Sequence, residues 1–339
     1  MSQPLVSLLT PCFNTAKYIH CLLDSVLFQT YPNIEMIVVD DGSSDNSKEI
    51  IEDYIPKFKA KGFSLTYLYQ PNSGQSVAIQ NGLRHVKGKY LSWPDSDDFF
   101  SRNDAIEKMV AALENAGEDV AMVRTQEQLL EQDSLRVKGI NGINVKAKEA
   151  PSLFEDCLFC KNGFYFCPGA YLVDLKKLIE ACNWPMFTEK NAGQNWQLLL
   201  PLLWKYRCIS IPEVFYSVLI RKESHSRGQY CGYEKTALKY SVYRNTILGT
   251  LDRIKDMPED TRSFYKNAIE RKYSKILENL AFRYNRIEDF LFYAEKSEKS
   301  IGKRIKVVLM RLHLSFFVCK SHALVLKPVR KILKFVLKK

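Results

Sequence analysis

Three carboxylates stand together in "KYLSWPDSDDFF", Lys89 to Phe100: Asp95, Asp97 and Asp98 follow apolar and aromatic residues that read as the end of a buried strand. Asp95 and Asp97 are two apart, so at a strand end their side chains point to one side. Two carboxylates facing one way repel unless a cation lies between them. Magnesium or manganese takes hard oxygen ligands, often one or two carboxylates plus substrate phosphates. The spacing therefore suits a divalent-metal site for a nucleotide diphosphate. The plainer alternative is a helix cap, with Asp97 or Asp98 at the start of a helix expected near Asn103.

The elements that must position these acids alternate along the first half. Strands are expected at 5–10, 34–40, 64–70, 89–93 and 119–125. Between them, apolar residues at 19, 22, 23, 26 and 27, and again at 50, 51, 54, 55 and 58, recur at helical spacing, with Asp45 or Asn46 as the cap of the second helix. "GQSVAIQNGLRHV" and "DAIEKMVAALENA" supply two more helices. Such alternation predicts an α/β fold, a mostly parallel central sheet covered by helices on both faces. Ligands of such sheets sit beyond the carboxyl ends of the strands. The loops "TPCFN", "DDGSSDNS" and "PDSDDF" should then line one crevice. From 126 to 235 the pattern loosens, and from 236 to 298 it is helical, with Pro258 in a turn-like "DMPED".

The chain of 339 residues is 46% hydrophobic, which supports packed globular domains over a disordered chain. Its formal charge of +11 is uneven. From Lys299 onward there are 12 Lys or Arg and no acid, which leaves residues 1–298 close to neutral and gives the body no nucleic-acid signature. In "KPVRKILKFVLKK" Lys327, Lys331, Lys334 and Lys338 fall at helical spacing, and Leu326, Val329, Ile332, Leu333 and Val336 fall on another side. A basic amphipathic helix without acids reads as a peripheral contact with an anionic membrane; packing on the domain or on another copy is the alternative. "LHLSFFVCKSHALVL" falls short of the roughly 18 apolar residues a spanning helix needs. With no secretory leader read at the start, the nine scattered cysteines are expected as reduced thiols in a cytoplasmic protein at the inner face of the cell membrane. A metal or redox role for "CLFC", Cys157 to Cys160, lacks a companion CxxC.

"VSLLTPCFNTAKYI", "QTYPNIEMIVVDDGSSDNS" and "NSGQSVAIQNGLRHVKGKYLSWPDSDD" together resemble the inverting glycosyltransferases of family 2, closely over residues 4–125 and more loosely to about 227. The resemblance implies a GT-A fold with a Rossmann-like nucleotide half and a C-terminal helical extension. The glycosyltransferase domain would span 1–235, with nucleotide-sugar binding in 1–125 and acceptor binding in 126–235. A helical region at 236–298 and the basic tail at 299–339 would follow. It further implies transfer from a nucleotide-sugar donor, a UDP-sugar for preference, to a glycan or lipid-linked hydroxyl, by single displacement with Mn2+ or Mg2+. Pro11 and Phe13 would touch the nucleobase, with Asn14 shaping the turn. Asp41 would accept the base ring N–H, as uracil or thymine offers; a plain turn is the alternative. Asn72 and Gly74 would pack beside ribose and diphosphate, Gly74 letting backbone approach ligand. Asn81 belongs to the same element or ends its helix. Asp95 would meet ribose or metal, Asp97 would be the main metal ligand, and Asp98 would support or cap.

The sequence departs from the family where the catalytic base belongs. The usual Glu-Asp pair is replaced by Gln194-Asn195, and neither amide can be a general base. Glu189, a few residues upstream, takes that role if its loop folds in. In "YSVLIRKESHSRG", Arg221 or His225 would meet the diphosphate, with His225 a further metal candidate; a solvated basic loop is the alternative. Trp184 and Trp196 are candidates for stacking on a sugar and equally for core packing. Two other readings stay open: a non-catalytic nucleotide-sugar-binding member of the fold, and a nucleotidyltransferase. "TPCFNTAKY" lacks the Gly-rich basic loop that the nucleotidyltransferase would want.

Overall fold

The computed structural model describes residues 3–142, 152–221, 232–297 and 301–311. His225 and the basic residues from 312 onward lie outside them. The chain divides into two compact units: residues 1–224 with 246–257, and residues 225–245 with 258–339.

The first unit is built on a nine-stranded sheet. The strands β1 (Val6–Cys12), β2 (Ile34–Asp40), β3 (Ser64–Tyr69) and β4 (Tyr90–Ser92) alternate with α1 (Ile19–Leu27), α2 (Ser47–Lys61) and α3 (Gln75–Gly82). They lie parallel in the order β3-β2-β1-β4. β1 and β2 are mostly apolar and buried at every position, as strands covered on both faces should be. α1 buries Ile19, Leu22, Leu23 and Val26, the face its spacing predicted. α3 lies so close to the sheet that a Cβ on Gly82 would stand 2.2 Å from Leu9 Cδ1.

Beyond β4 the sheet changes character. After β5 (Phe99–Phe100) and α4 (Ala105–Glu114) come β6 (Val120–Glu131), β7 (Val137–Asn141), α5 (Phe154–Phe159), β8 (Tyr171–Asp174), α6 (Leu175–Ala181), α7 (Asn195–Lys205) and β9 (Arg207–Ile220). β8 is antiparallel to both β4 and β6, and β6 pairs parallel with β9. β6 runs six residues past the strand expected at 119–125, because β7 and β9 pair with its extension. β6 therefore runs in the same direction as β4, and the two strands carry their carboxyl ends to one edge.

The second unit is helical, as its spacing predicted. It contains residues to Asn245 of α8 (Tyr233–Leu251), then α9 (Glu259–Arg283), α10 (Ile287–Lys296) and α11 (Ile301–Arg311). Leu277, Ala281, Phe290 and Met310 are the centre of its core. Glu278 is fully buried yet accepts from Lys275 at 2.9 Å, Lys306 at 3.2 Å and Ser297 at 2.5 Å. These partners hold its carboxyl low against the burial that opposes ionisation.

Candidate active site

The loops after β1 and β2 are laced together. Asn14 takes the left-handed backbone (φ +52°). Its N–H donates to Ser43 Oγ at 2.9 Å, and its side-chain oxygen accepts from the Ser44 N–H at 2.8 Å. The Ala16 N–H donates to Asp45 Oδ2 at 3.0 Å. Asp40 closes the turn by accepting from the Ser43 N–H at 2.8 Å. Asn14 thus shapes this turn, and "DGSSDNS" is the partner that fixes it. Phe13 is left 47% exposed at the rim, free to stack, whereas Pro11 is buried within β1.

Asp41 is buried and engaged by its own chain. It accepts from Gln70 Nε2 at 2.7 Å and from the N–H groups of Ser73 and Gly74 at 2.8 Å each. Asn81 Nδ2 in turn donates to the Gln70 side-chain oxygen at 3.1 Å. Asn81 therefore positions Gln70, and through it Asp41. A carboxylate has about four lone-pair sites, so three donors leave Asp41 room for one more partner, such as a base N–H. Asn72 is exposed at the tip of the loop that Asp41 holds.

Gly74 has φ +97° and admits a close backbone neighbour, as its type suggested, but that neighbour is the protein's own. A Cβ there would stand 2.1 Å from the Lys190 carbonyl oxygen. Ser76 fixes the same segment twice, donating to the Glu189 carbonyl at 3.0 Å and accepting from the Glu189 N–H at 3.2 Å. The loop carrying Glu189 thus folds onto the start of α3. Gly74→Ala is expected to cost about 2 to 4 kcal/mol in chemical denaturation, since it adds both a clash and an unfavourable φ.

The carboxylates follow β4. Asp98 is buried and accepts from the Leu219 N–H of β9 at 2.9 Å. It is a strut joining β4's loop to β9, while Asp104 takes the N-cap position of α4. Asp95 and Asp97 are largely buried, with only part of each side chain reaching the surface. Asp97 is ion-paired with Arg221, and the Arg221 guanidinium lies 4.6 Å from the Tyr18 ring centroid. Asp95 Oδ1 accepts from Gln75 Nε2 at 3.0 Å. Burial first, and the Asp97 charge second, push the Asp95 carboxyl up to about 7. Gln194 stands close enough to favour the charged form of Asp95, yet neither of its amide atoms makes a well-formed hydrogen bond. Asn195 accepts from Trp93 Nε1 at 3.1 Å. Burial also raises the Glu189 carboxyl.

A raised carboxyl is a folding penalty in its charged form. The folded state holds a proton on Asp95 that the unfolded chain has released, so this penalty grows as pH rises from about 4 to about 7 and is constant above. Asp95→Asn keeps the shape without the charge. We expect it to be more stable than the wild type by about 2 kcal/mol at pH 8, with the difference vanishing near pH 4, as read by urea denaturation at both values.

No group of three or more His, Cys, Asp or Glu side chains that could hold a metal occurs among the described residues. The donor set at Asp95 and Asp97 nevertheless fits Mg2+ or Mn2+. It is all hard oxygen, it carries two like charges, and a diphosphate would supply the remaining ligands. Arg221 already marks Asp97 as a place that takes a cation. Ser76, Gln75 and Tyr18 escaped the sequence reading. Gln75 and Ser76 directly follow Gly74 in the first turn of α3, where they meet Asp95 and the Glu189 backbone, and that adjacency is the signal that could have found them. Trp184 and Trp196 serve packing: their indole N–H groups donate to Ile179 O and Cys157 O, and Trp196 meets Phe166 edge to face.

Residues 7–162 match the family model "Glycosyl transferase family 2". Among similar proteins, an uncharacterized glycosyltransferase of Rickettsia prowazekii is 38% identical over 132 residues, covering 39% of this chain and 39% of the relative. A putative teichuronic acid biosynthesis glycosyltransferase of Bacillus subtilis, TuaG, is 39% identical over 108 residues, covering 32% and 41%. The chain thus spans about two fifths of the length of these relatives. Among solved structures, S. aureus TarS 1–349 in complex with UDP-GlcNAc superposes with a TM-score of 0.61 at 17% identity, over 92% of this chain and 88% of that one. A mannosyltransferase of Pyrobaculum calidifontis in complex with GDP-Man and Mn2+ gives a TM-score of 0.55 at 15% identity, over 94% and 87%. The fold is the GT-A fold expected from the sequence.

Proposed function

We propose that this chain transfers a sugar from a UDP-sugar to a hydroxyl of a glycan or lipid-linked acceptor in cell-surface polysaccharide or glycolipid synthesis. The observation that carries the reading is the Asp95–Asp97 pair at the carboxyl end of β4, with Arg221 as its countercharge. UDP-GlcNAc in TarS and the biosynthetic role named for TuaG support the donor and the product class.

Asp95 and Asp97 would hold Mg2+ or Mn2+, which when bound neutralises charge growing on the departing diphosphate. Phe13 offers a face for the uracil ring, and Asp41 keeps one acceptor site for its N–H. Arg221, released from Asp97, is placed to take a phosphate oxygen. Glu189 removes the proton of the acceptor hydroxyl as it attacks the anomeric carbon from the side opposite the nucleotide, which inverts the configuration. Its burial-raised carboxyl brings its proton affinity nearer to neutral pH, where a base works well.

A second reading is favoured by Gln194-Asn195: a member of the fold that binds nucleotide-sugar without turnover. Release of UDP from a UDP-sugar separates the two; turnover supports the enzyme, and tight donor binding with no turnover under any acceptor supports the second. The basic tail would keep the protein at the inner face of the membrane. Among the described residues no helix is long and apolar enough to cross one.

A further inference from the structure

A buried cation stands away from the carboxylate pair. Arg124, on β6, is 6% exposed. The register from Leu91 through Val173 to Met122 sets Arg124 level with Trp93, two strands along the sheet, a lateral offset of about 10 Å. Its Nε donates to Ser210 Oγ at 2.8 Å, and its guanidinium lies 5.6 Å from the Phe164 ring centroid. No carboxylate pairs with it among the described residues. The neighbouring thiols Cys157 and Cys208 cannot serve as counterions, because burial pushes both up, Cys208 to about 12, and leaves them neutral. Glu127 is held instead by Asn141 at 2.6 Å.

A guanidinium held in this position without a countercharge favours any anion that can reach it. Arg124 lines a half-open recess together with Thr125, Gln126, Tyr165 and Ser210. Gly142, Ile211 and Pro212 complete a mixed polar and apolar lining, to which no acid contributes. With Nε anchored, the outer fork of an arginine matches two oxygens of a carboxylate or phosphate.

We propose that this recess binds a small oxyanion, a phosphate or carboxylate group carried by the acceptor; assigning it to the acceptor rests on the transferase reading above. An acidic acceptor would then be gripped on the β6–β9 side while its hydroxyl reaches the donor. Neutral acceptors would lack that grip.

The test is calorimetric titration of the whole protein with inorganic phosphate, with and without saturating UDP. Two variants go beside it: Arg124→Gln, and Gln126→Glu, which supplies an internal countercharge. The expected result is phosphate binding that persists with UDP present and falls at least tenfold in both variants, while UDP binding is unchanged. Using two variants guards against one of them failing to fold. Phosphate binding that UDP abolishes, or that both folded variants retain, overturns the proposal, as does no phosphate or acetate binding by the wild type at 10 mM. Failure of UDP to bind, with phosphate still lost in Arg124→Gln, would overturn the donor assignment and leave the anion site standing. Glycerol phosphate and glucuronate then distinguish the two sources: tighter binding of the first assigns a phosphodiester acceptor, of the second a uronic acid.

Discussion

Asp97→Asn is expected to lower UDP release from a UDP-sugar by about 10³-fold or more, some 4 kcal/mol of transition-state stabilisation. Asp97 is the carboxylate that already holds a cation, its partner being the Arg221 guanidinium. The variant keeps the size of the side chain but cannot balance that charge or a divalent metal. Arg221 would then lose its partner beside the Tyr18 ring and be free to move. Donor affinity should fall in the same variant, and only in the presence of the metal. Asp98→Asn would make a poor substitute experiment, because Asp98 supports the backbone of β9 and its loss would loosen the sheet.

Glu189→Gln should lower turnover by about 10²- to 10⁴-fold, the usual worth of a general base, with donor affinity little changed. The two Ser76 hydrogen bonds engage the backbone of Glu189 and survive the substitution, so the loop keeps its place. A split between kcat and donor binding would mark a chemical role. An equal loss of both would mark a structural one and return the base to another acid.

The parallel half of the fold was legible because its signals are local. β1 and β2 are mostly apolar and wholly buried, α1 shows its buried stripe, and the acids mark the strand ends. β7, β8 and β9 were not, because their pairing is decided by partners far along the chain; β9 joins β6 across 80 residues and more. Within the site, Asp95 and Asp97 stand out by their spacing, and only the neighbouring motifs turn that spacing into a proposed role. The Gly74 position could be read as a close approach, but the identity of the approaching group could not, since Lys190 arrives from more than 100 residues away. For the same reason the Asp41–Gln70–Asn81 relay and the Arg221–Asp97 pair appear only once the chain is folded.

The central claim is that Asp95 and Asp97 gather to hold a cation against a nucleoside diphosphate. Calorimetric titration of the wild type with UDP, with and without Mn2+, tests it most directly. The account predicts binding that is at least tenfold tighter with the metal, with that gain lost in Asp97→Asn. Equal binding with and without Mn2+, undiminished in the variant, would contradict it and leave Asp97 as nothing more than the partner of Arg221.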